Sequence, residues 1–235
     1  MYRKLVIFFN MIIALICLSF QIKVEKKDIQ FSVEPCFDRE VLVLNSATYI
    51  TKKKDTLSIT TLKFYISNVV VEYENGITYK EPKSVHLIDA AALNTLQFQV
   101  KNAPNFKIKK VRFHIGIDSL TNVSGDLGGD LDPSLGMYWA WNSGYINMKL
   151  EGKSSSCKTI KKDFQFHIGG YLSNQNALQE VSLIVPDHVA TLQLKMDLST
   201  WLNEVSLRET NSIMIPGVKA IGMSDLYKNM FQITQ

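Results

Sequence analysis

The sequence predicts an all-β fold: an antiparallel β-sandwich with long loops and at most short helices. Three observations predict it. Apolar and polar residues alternate with a period of two along several runs, the signature of strands with one buried face. No stretch of ten residues carries a helical period. Strand candidates follow one another without internal repeats and without βαβ alternation, which favours an antiparallel architecture.

The chain has 235 residues, 46% hydrophobic and 20% charged, with a formal charge of +4. Ordinary globular usage of this kind excludes a disordered, collagen-like or multi-span membrane chain. The charge excess is too small to imply nucleic acid, whose phosphates demand a concentrated basic patch. The Lys52-Lys53-Lys54 run ends at Asp55 and reads as a solvated turn.

At the N-terminus, Arg3 and Lys4 precede an apolar run from Leu5 to Phe20, broken only by Asn10 and Ser19. A basic start and a short apolar core read as a secretory signal over residues 1–22, with an uncleaved N-terminal anchor as the alternative. Bulky Ile16 before Cys17 argues against a lipidated cysteine. Cleavage removes Arg3 and Lys4 and lowers the charge to about +2. The product is expected in the periplasm or cell envelope, touching membrane only if that segment is retained or lipidated. Residues 23–235 read as a single domain, because no Pro/Gly/Ser-rich linker divides them. Export leaves two cysteines, Cys36 and Cys157, which an oxidising compartment favours pairing as a disulfide. Two buried thiols or soft metal ligation are the alternatives.

The strands follow in order. Phe31–Val33 and Val41–Leu44 come first. Leu62, Phe64 and Ile66 then alternate with Lys63, Tyr65 and Ser67. Val69–Tyr73 precedes Glu74-Asn75-Gly76, a hairpin signal. Val85–Ile88 and Leu96–Val100 lead to Val111, Phe113, Ile115 and Ile117, which alternate with Arg112, His114, Gly116 and Asp118. After Tyr145–Leu150, Phe164, Phe166 and Ile168 alternate with Gln165, His167 and Gly169. Val181–Val185 and the Leu192-Leu194-Met196 alternation complete the set. Ser199–Glu204 and Met223–Phe231 are candidate short helices.

Residues 119–136 break this rhythm. Loops so long inside a compact domain are often functional. Asp126, Asp130 and Asp132 make this one a candidate calcium loop, although Asp and Gly are also ordinary turn formers. Asn122-Val123-Ser124 is a glycosylation sequon only in a suitable host. The segment that follows, Gly136 to Tyr145, holds Trp139, Trp141, Tyr138 and Met137. Two indoles two residues apart share a face on an extended chain. They can fill a core, form a stacking platform for a sugar or peptide, or wall a metal or redox site.

The segments Phe64-Tyr65-Ile66-Ser67-Asn68-Val69, Leu87-Ile88-Asp89-Ala90, Ile115-Gly116-Ile117-Asp118-Ser119, Gly129-Asp130-Leu131-Asp132-Pro133, Gly136 to Gly152, and Phe166-His167-Ile168-Gly169-Gly170 occur in that order. Together they resemble the MbnP-like copper-binding family of exported bacterial proteins, over roughly residues 60 to 200. The resemblance implies a copper site built from imidazoles and a tryptophan oxidised to kynurenine. It also implies a partner that performs the oxidation, a dihaem c-type cytochrome of the MauG type. The chemistry is intelligible: an indole N–H only donates, whereas opening its five-membered ring frees an aryl amine and a ketone as donor atoms. Imidazole suits copper. By proximity to the resembling motifs, His86 and His167 are the candidate ligands with Trp139 or Trp141. His114 and Met137 are reserves, Met148 reads as packing, and His188 reads as a solvent-facing turn residue. Trp201 reads as core. No Ser/His/Asp order, Gly-rich phosphate loop or paired-carboxylate setting points to an enzyme. The expected function is copper acquisition, storage or delivery. The alternative is a metal-free cell-surface module using the Trp139/Trp141 pair.

Overall fold

A computed structural model describes residues 24–125, 128–187 and 191–234. The segment expected to be an N-terminal signal or anchor, Asp126 and His188 lie outside the described residues. Two sheets face each other. The first is organised by β1 (Lys26–Phe37), which pairs with β2 (Glu40–Val41) and with β7 (Gln97–Pro104), both antiparallel. It also pairs in parallel with β13 (Leu192–Asp197), from Phe31 opposite Leu192 to Cys36 opposite Asp197. β15 (Phe231–Thr234) closes this sheet against β13.

The second sheet is organised by β4, an 18-residue strand from Thr56 to Tyr73. β3 (Tyr49–Ile50), β5 (Thr78–Lys80), β6 (Val85–Asp89), β8 (Ile108–Ile115) and β10 (Gly144–Ser154) all pair with it in antiparallel fashion. β9 (Tyr138–Trp139) and β11 (Asp163–Gly169) flank β10, β12 (Gln179–Ile184) pairs with β8, and β14 (Ser212–Ile213) lies parallel to β11. The expected sandwich is present. The β1–β13 and β11–β14 pairings add parallel contacts to a mainly antiparallel design. Three short α-helices accompany the strands: α1 (Ser119–Val123), α2 (Leu198–Leu202) and α3 (Val218–Ser224).

β4 fuses the Leu62–Ile66 alternation and the Val69–Tyr73 run, which the sequence presents as separate strands. Its inward residues change parity twice, from Leu57 and Ile59 to Leu62, Phe64 and Ile66, then to Val69, Val71 and Tyr73. Each change coincides with a register irregularity, one opposite Glu151/Gly152 and one between Ser67 and Val70, where Asn68 adopts φ 52°. A bulge inserts one residue and turns the following side chains over. Two bulges thus keep the apolar side inward along the full strand. The core between the sheets includes Phe31, Phe64, Phe113, Phe166, Leu194 and Trp201. Phe231 of the first sheet packs edge-on against Phe64 and Phe113 of the second, at 6.0 and 5.5 Å between centroids.

A second apolar cluster lies on the other face of the second sheet. It contains Tyr65, Leu87, Ile117, Leu131, Met137, Trp139, Tyr145 and Ile146. Residues on one strand face repeat every two, so Tyr65 points opposite to Phe64 and Ile66. The described part of the 119–145 connection lies over this outer face, contributing Leu131, Met137, Trp139 and Tyr145 to the cluster.

Cys36 and Cys157 are free and buried, so the expected disulfide is not formed. Cys36 belongs to β1 of the first sheet, whereas Cys157 lies in the turn between β10 and β11 of the second.

Candidate functional site

The strap over the outer face is fixed by polar contacts at successive points. The Asp118 carboxylate accepts the Thr121 amide at 2.8 Å and caps α1. Asn122 is buried: its Nδ2 donates to Ile117 O and Asp118 O, and its Oδ1 accepts the Tyr145 amide. The sequon asparagine is therefore a structural clamp. Tyr65 Oη donates to Asp130 O at 3.0 Å, and Tyr145 Oη donates to Leu131 O at 2.9 Å. Burial, with Tyr145 and Asp130 nearby, pushes the Tyr65 phenol far above its ordinary value and keeps it a donor. Two lysines of the sheet hold the end of the strap, Lys63 through Leu135 O and Lys149 through Gly136 O. Gly136 takes φ 76°, a left-handed turn that leads the chain into β9.

This architecture separates the two indoles. Trp139 is 6% exposed within the second cluster; Trp141 is 64% exposed. The chain turns after Trp139, so the shared face expected of an extended segment is lost. The rings still neighbour one another, with centroids 5.7 Å apart. Trp139 rests on β11: a Cβ built on Gly169 would lie 2.9 Å from Trp139 Cζ3.

His167 is two residues from Gly169 on the same strand and therefore shares its face. Its Nε2 lies 2.7 Å from Glu151 Oε1, and Glu151 Oε2 accepts Thr61 Oγ1 at 3.1 Å. Burial pushes the His167 pKa down, against the opposing pull of Glu151. Burial pushes the Glu151 carboxyl up, but the hydrogen bonds from His167 and Thr61, with the coulombic pull of Lys149 and His167, hold it low overall. A neutral imidazole beside an ionised carboxylate must carry its proton on Nε2, which leaves Nδ1 as the lone pair.

His86 sits elsewhere. It pairs with Ile66 on the core side of the sheet and stacks on Phe98 at 4.0 Å, with Nε2 2.9 Å from Glu81 Oε2. Asp89 of β6, Lys63 of β4, Lys149 of β10 and His167 of β11 lie in one row across four strands. Asp89 and His167 are thus three strand spacings apart, roughly 14 Å, and His86 lies three residues further along β6, on the opposite face. The two histidines cannot share an ion in this arrangement. His114 is on the outer face, opposite Ser67, in a groove of about 1170 Å³ that neither indole lines. Burial lowers its pKa, its Nδ1 is buried without a partner, and its Nε2 is 4.0 Å from Glu180 Oε2. Met137 is fully buried in the second cluster, Met148 and Trp201 in the main core.

Asp130 Oδ2 accepts the Leu87 amide at 2.9 Å, and Asp132 Oδ1 accepts the Ser134 amide at 2.8 Å. Each is committed to a different backbone amide, and no three His, Cys, Asp or Glu side chains gather for a metal among the described residues. Asp126, the third carboxylate of the expected calcium loop, lies outside the described residues.

The residues that organise the imidazoles, Glu81 and Glu151, were not legible as partners. Both are ordinary polar strand-edge or alternating residues, and their contacts depend on cross-strand register that one sequence does not print.

The MbnP family model matches residues 26–215. This chain belongs to the MbnP family. Among solved structures, MbnP from Methylosinus trichosporium is similar at 14% identity, covering 83% of each chain with a TM-score of 0.62. At that identity the likeness speaks to the MbnP fold alone. No match was found among curated protein sequences.

Copper is the metal that the MbnP resemblance brings to this chain, and the side chains on the outer face fit it in kind. His167 carries the carboxylate-bound Nε2 that commonly orients a metal-binding imidazole, and its lowered pKa favours the neutral, ligating form. They do not suffice in number, since an intact indole offers no lone pair.

Proposed function

We propose that this MbnP-family chain is an exported copper-binding protein and not an enzyme. His167 and a kynurenine formed from Trp139 hold the copper on the outer face of the second sheet. The metal is cargo for acquisition, storage or delivery. One observation carries the reading: Trp139 lies on Gly169 of β11, two residues from His167 on the same face.

In this reading, Glu151 keeps the His167 lone pair on Nδ1. The strap excludes water from the indole through the Tyr65, Tyr145, Lys63 and Lys149 hydrogen bonds. Oxidative opening of the Trp139 indole, with oxygen taken from water, four electrons passed to an external oxidant and C2 released by hydrolysis as formate, supplies the aryl amine and ketone that the intact side chain lacks. Trp141, exposed and 5.7 Å away, offers a surface route for electrons drawn off by an external oxidant of the dihaem c-type cytochrome class. His86 is left outside the ligand set.

The test is metal analysis with peptide mass spectrometry on protein taken from its native host. Copper, and a kynurenine mass change on the peptide at Trp139, are expected. Two unmodified tryptophans and no copper would overturn the proposal.

A metal-free binding module has one observation in its favour, the 64% exposure of Trp141, which suits stacking on a sugar ring or peptide. Tryptophan fluorescence titrated with a glycan panel tests it; no response across the panel counts against it.

A further inference from the structure

The lysine run at residues 52–54, a solvated turn by sequence, is part of a larger feature. Register places Leu57 of β4 opposite both Tyr49 of β3 and Ser154 of β10. The 51–55 and 155–162 turns therefore leave the second sheet at the same end. The 203–209 segment joins them there. Asn203 Oδ1 accepts the Lys52 amide at 2.7 Å, Lys53 Nζ donates to Glu204 O at 2.6 Å, and Leu207 N donates to Asp55 Oδ2 at 3.0 Å.

The lysines at 52, 53 and 54 thus share a tip with Lys158, Lys161 and Lys162, all exposed. Among the described residues none of them enters an ion pair; the paired basic side chains belong to other regions. Asp55 is buried and committed to the Leu207 amide. Glu204 and Glu209 share this end with Arg208 and bridge to none of the lysines. At the apex of the longer turn, in Lys158-Thr159-Ile160-Lys161-Lys162, Ile160 is fully exposed. Ile50, at the edge of the neighbouring turn, is also exposed.

We propose that this tip docks on an anionic bilayer surface, its lysines facing lipid phosphates and Ile160 entering the headgroup region. Charge alone would also suit an acidic protein. The shape decides: the tip is made of projecting turns with an isoleucine at the apex. A projecting apolar point ringed by ammonium groups matches a surface that is anionic outside and apolar beneath. The inference is independent of the copper reading.

The test uses the full gene product, exported and purified as the cell leaves it. Its binding to vesicles of phosphatidylcholine alone is compared with binding to phosphatidylglycerol–phosphatidylcholine vesicles. Any N-terminal segment it retains, with Arg3 and Lys4, is carried alike by every variant, so the comparison between variants isolates the tip. Binding is expected only, or far more strongly, with phosphatidylglycerol, and is expected to fall as salt rises. The Lys52→Gln/Lys158→Gln/Lys161→Gln variant removes three side chains without a hydrogen bond. At roughly fivefold per lysine, it loses about a hundredfold in affinity. Ile160→Ser weakens binding further without changing the salt dependence, and Lys101→Gln, away from the tip, has no effect. Circular dichroism confirms that each variant folds. Equal binding to both vesicles, an unchanged triple variant, or selective capture by an acidic protein in place of lipid would each overturn the proposal.

Discussion

Trp139 and Gly169 occupy one another's space: a Cβ at position 169 would sit 2.9 Å from Trp139 Cζ3 and 2.6 Å from Tyr145 O. The glycine is required by close approach and not by its backbone conformation, since its φ is not positive. Gly169→Ala must push the indole or the β10 backbone aside, an overpacking that costs about 1–3 kcal/mol. In a Trp141→Phe background, the variant is expected to lose that stability in urea. Its tryptophan emission is expected to move to longer wavelength as Trp139 is displaced. An unchanged midpoint and emission maximum would contradict this contact.

Acid sensitivity follows from the two outer-face imidazoles. Burial holds His167 and His114 below the ordinary value of 6.5. As pH falls through 6.5, the unfolded chain takes up protons that the folded chain refuses, so stability declines. The low Glu151 pKa acts in a separate window. Its stabilising contribution is complete above the ordinary value of 4.5 and is lost only as pH drops through the lower folded value. Urea midpoints are expected to fall from pH 6.5 towards 4.5, and His114→Gln/His167→Gln should flatten that portion. The same slope in the double variant would rule out these histidines as its source.

The faces of His167 and His114 were legible, because Phe166/Ile168 and Phe113/Ile115 alternate with them cleanly. The face of His86 was not. Val85-His86-Leu87-Ile88 has apolar residues at both parities, since Leu87 is buried under the strap while Ile88 is buried between the sheets. A sheet covered on both sides loses the contrast on which alternation depends. Bulges hid the unity of β4 for a related reason: a change of parity looks like the end of a strand. The separation of Trp139 from Trp141 was hidden by the turn that begins at Ala140, which has neither glycine nor proline to mark it.

Opposite placement of His86 and His167 makes copper retention a directional test. His167→Gln should abolish retention in protein matured by its host, while His86→Gln leaves it unchanged. Glu151→Gln, which keeps a hydrogen-bonding partner but removes the charge, should weaken affinity roughly 10–100-fold, the usual consequence of disturbing a group that orients a metal ligand. Metal content per protein after dialysis against a graded chelator series reads all three. Equal losses for the His86 and His167 variants would place the site elsewhere.

The free thiols give a test that needs no metal. Burial and the neighbouring Asp197 push Cys36 up to about 11, and burial also raises Cys157. Only the thiolate reacts, so neither residue presents a useful nucleophile at neutral pH. A thiol reagent should label neither Cys36 nor Cys157 in the folded protein and both after unfolding, and a reductant should leave Tm unchanged. A Tm lowered by reductant, or an intact mass two hydrogens light, would show that the cysteines pair after all. Cys36→Ser, by contrast, buries a hydroxyl where the thiol behaved as a small apolar group. It should cost about 1–3 kcal/mol if that hydroxyl finds no partner. The size of that loss reports how closely β1 packs between β13 and β2, independently of any redox chemistry.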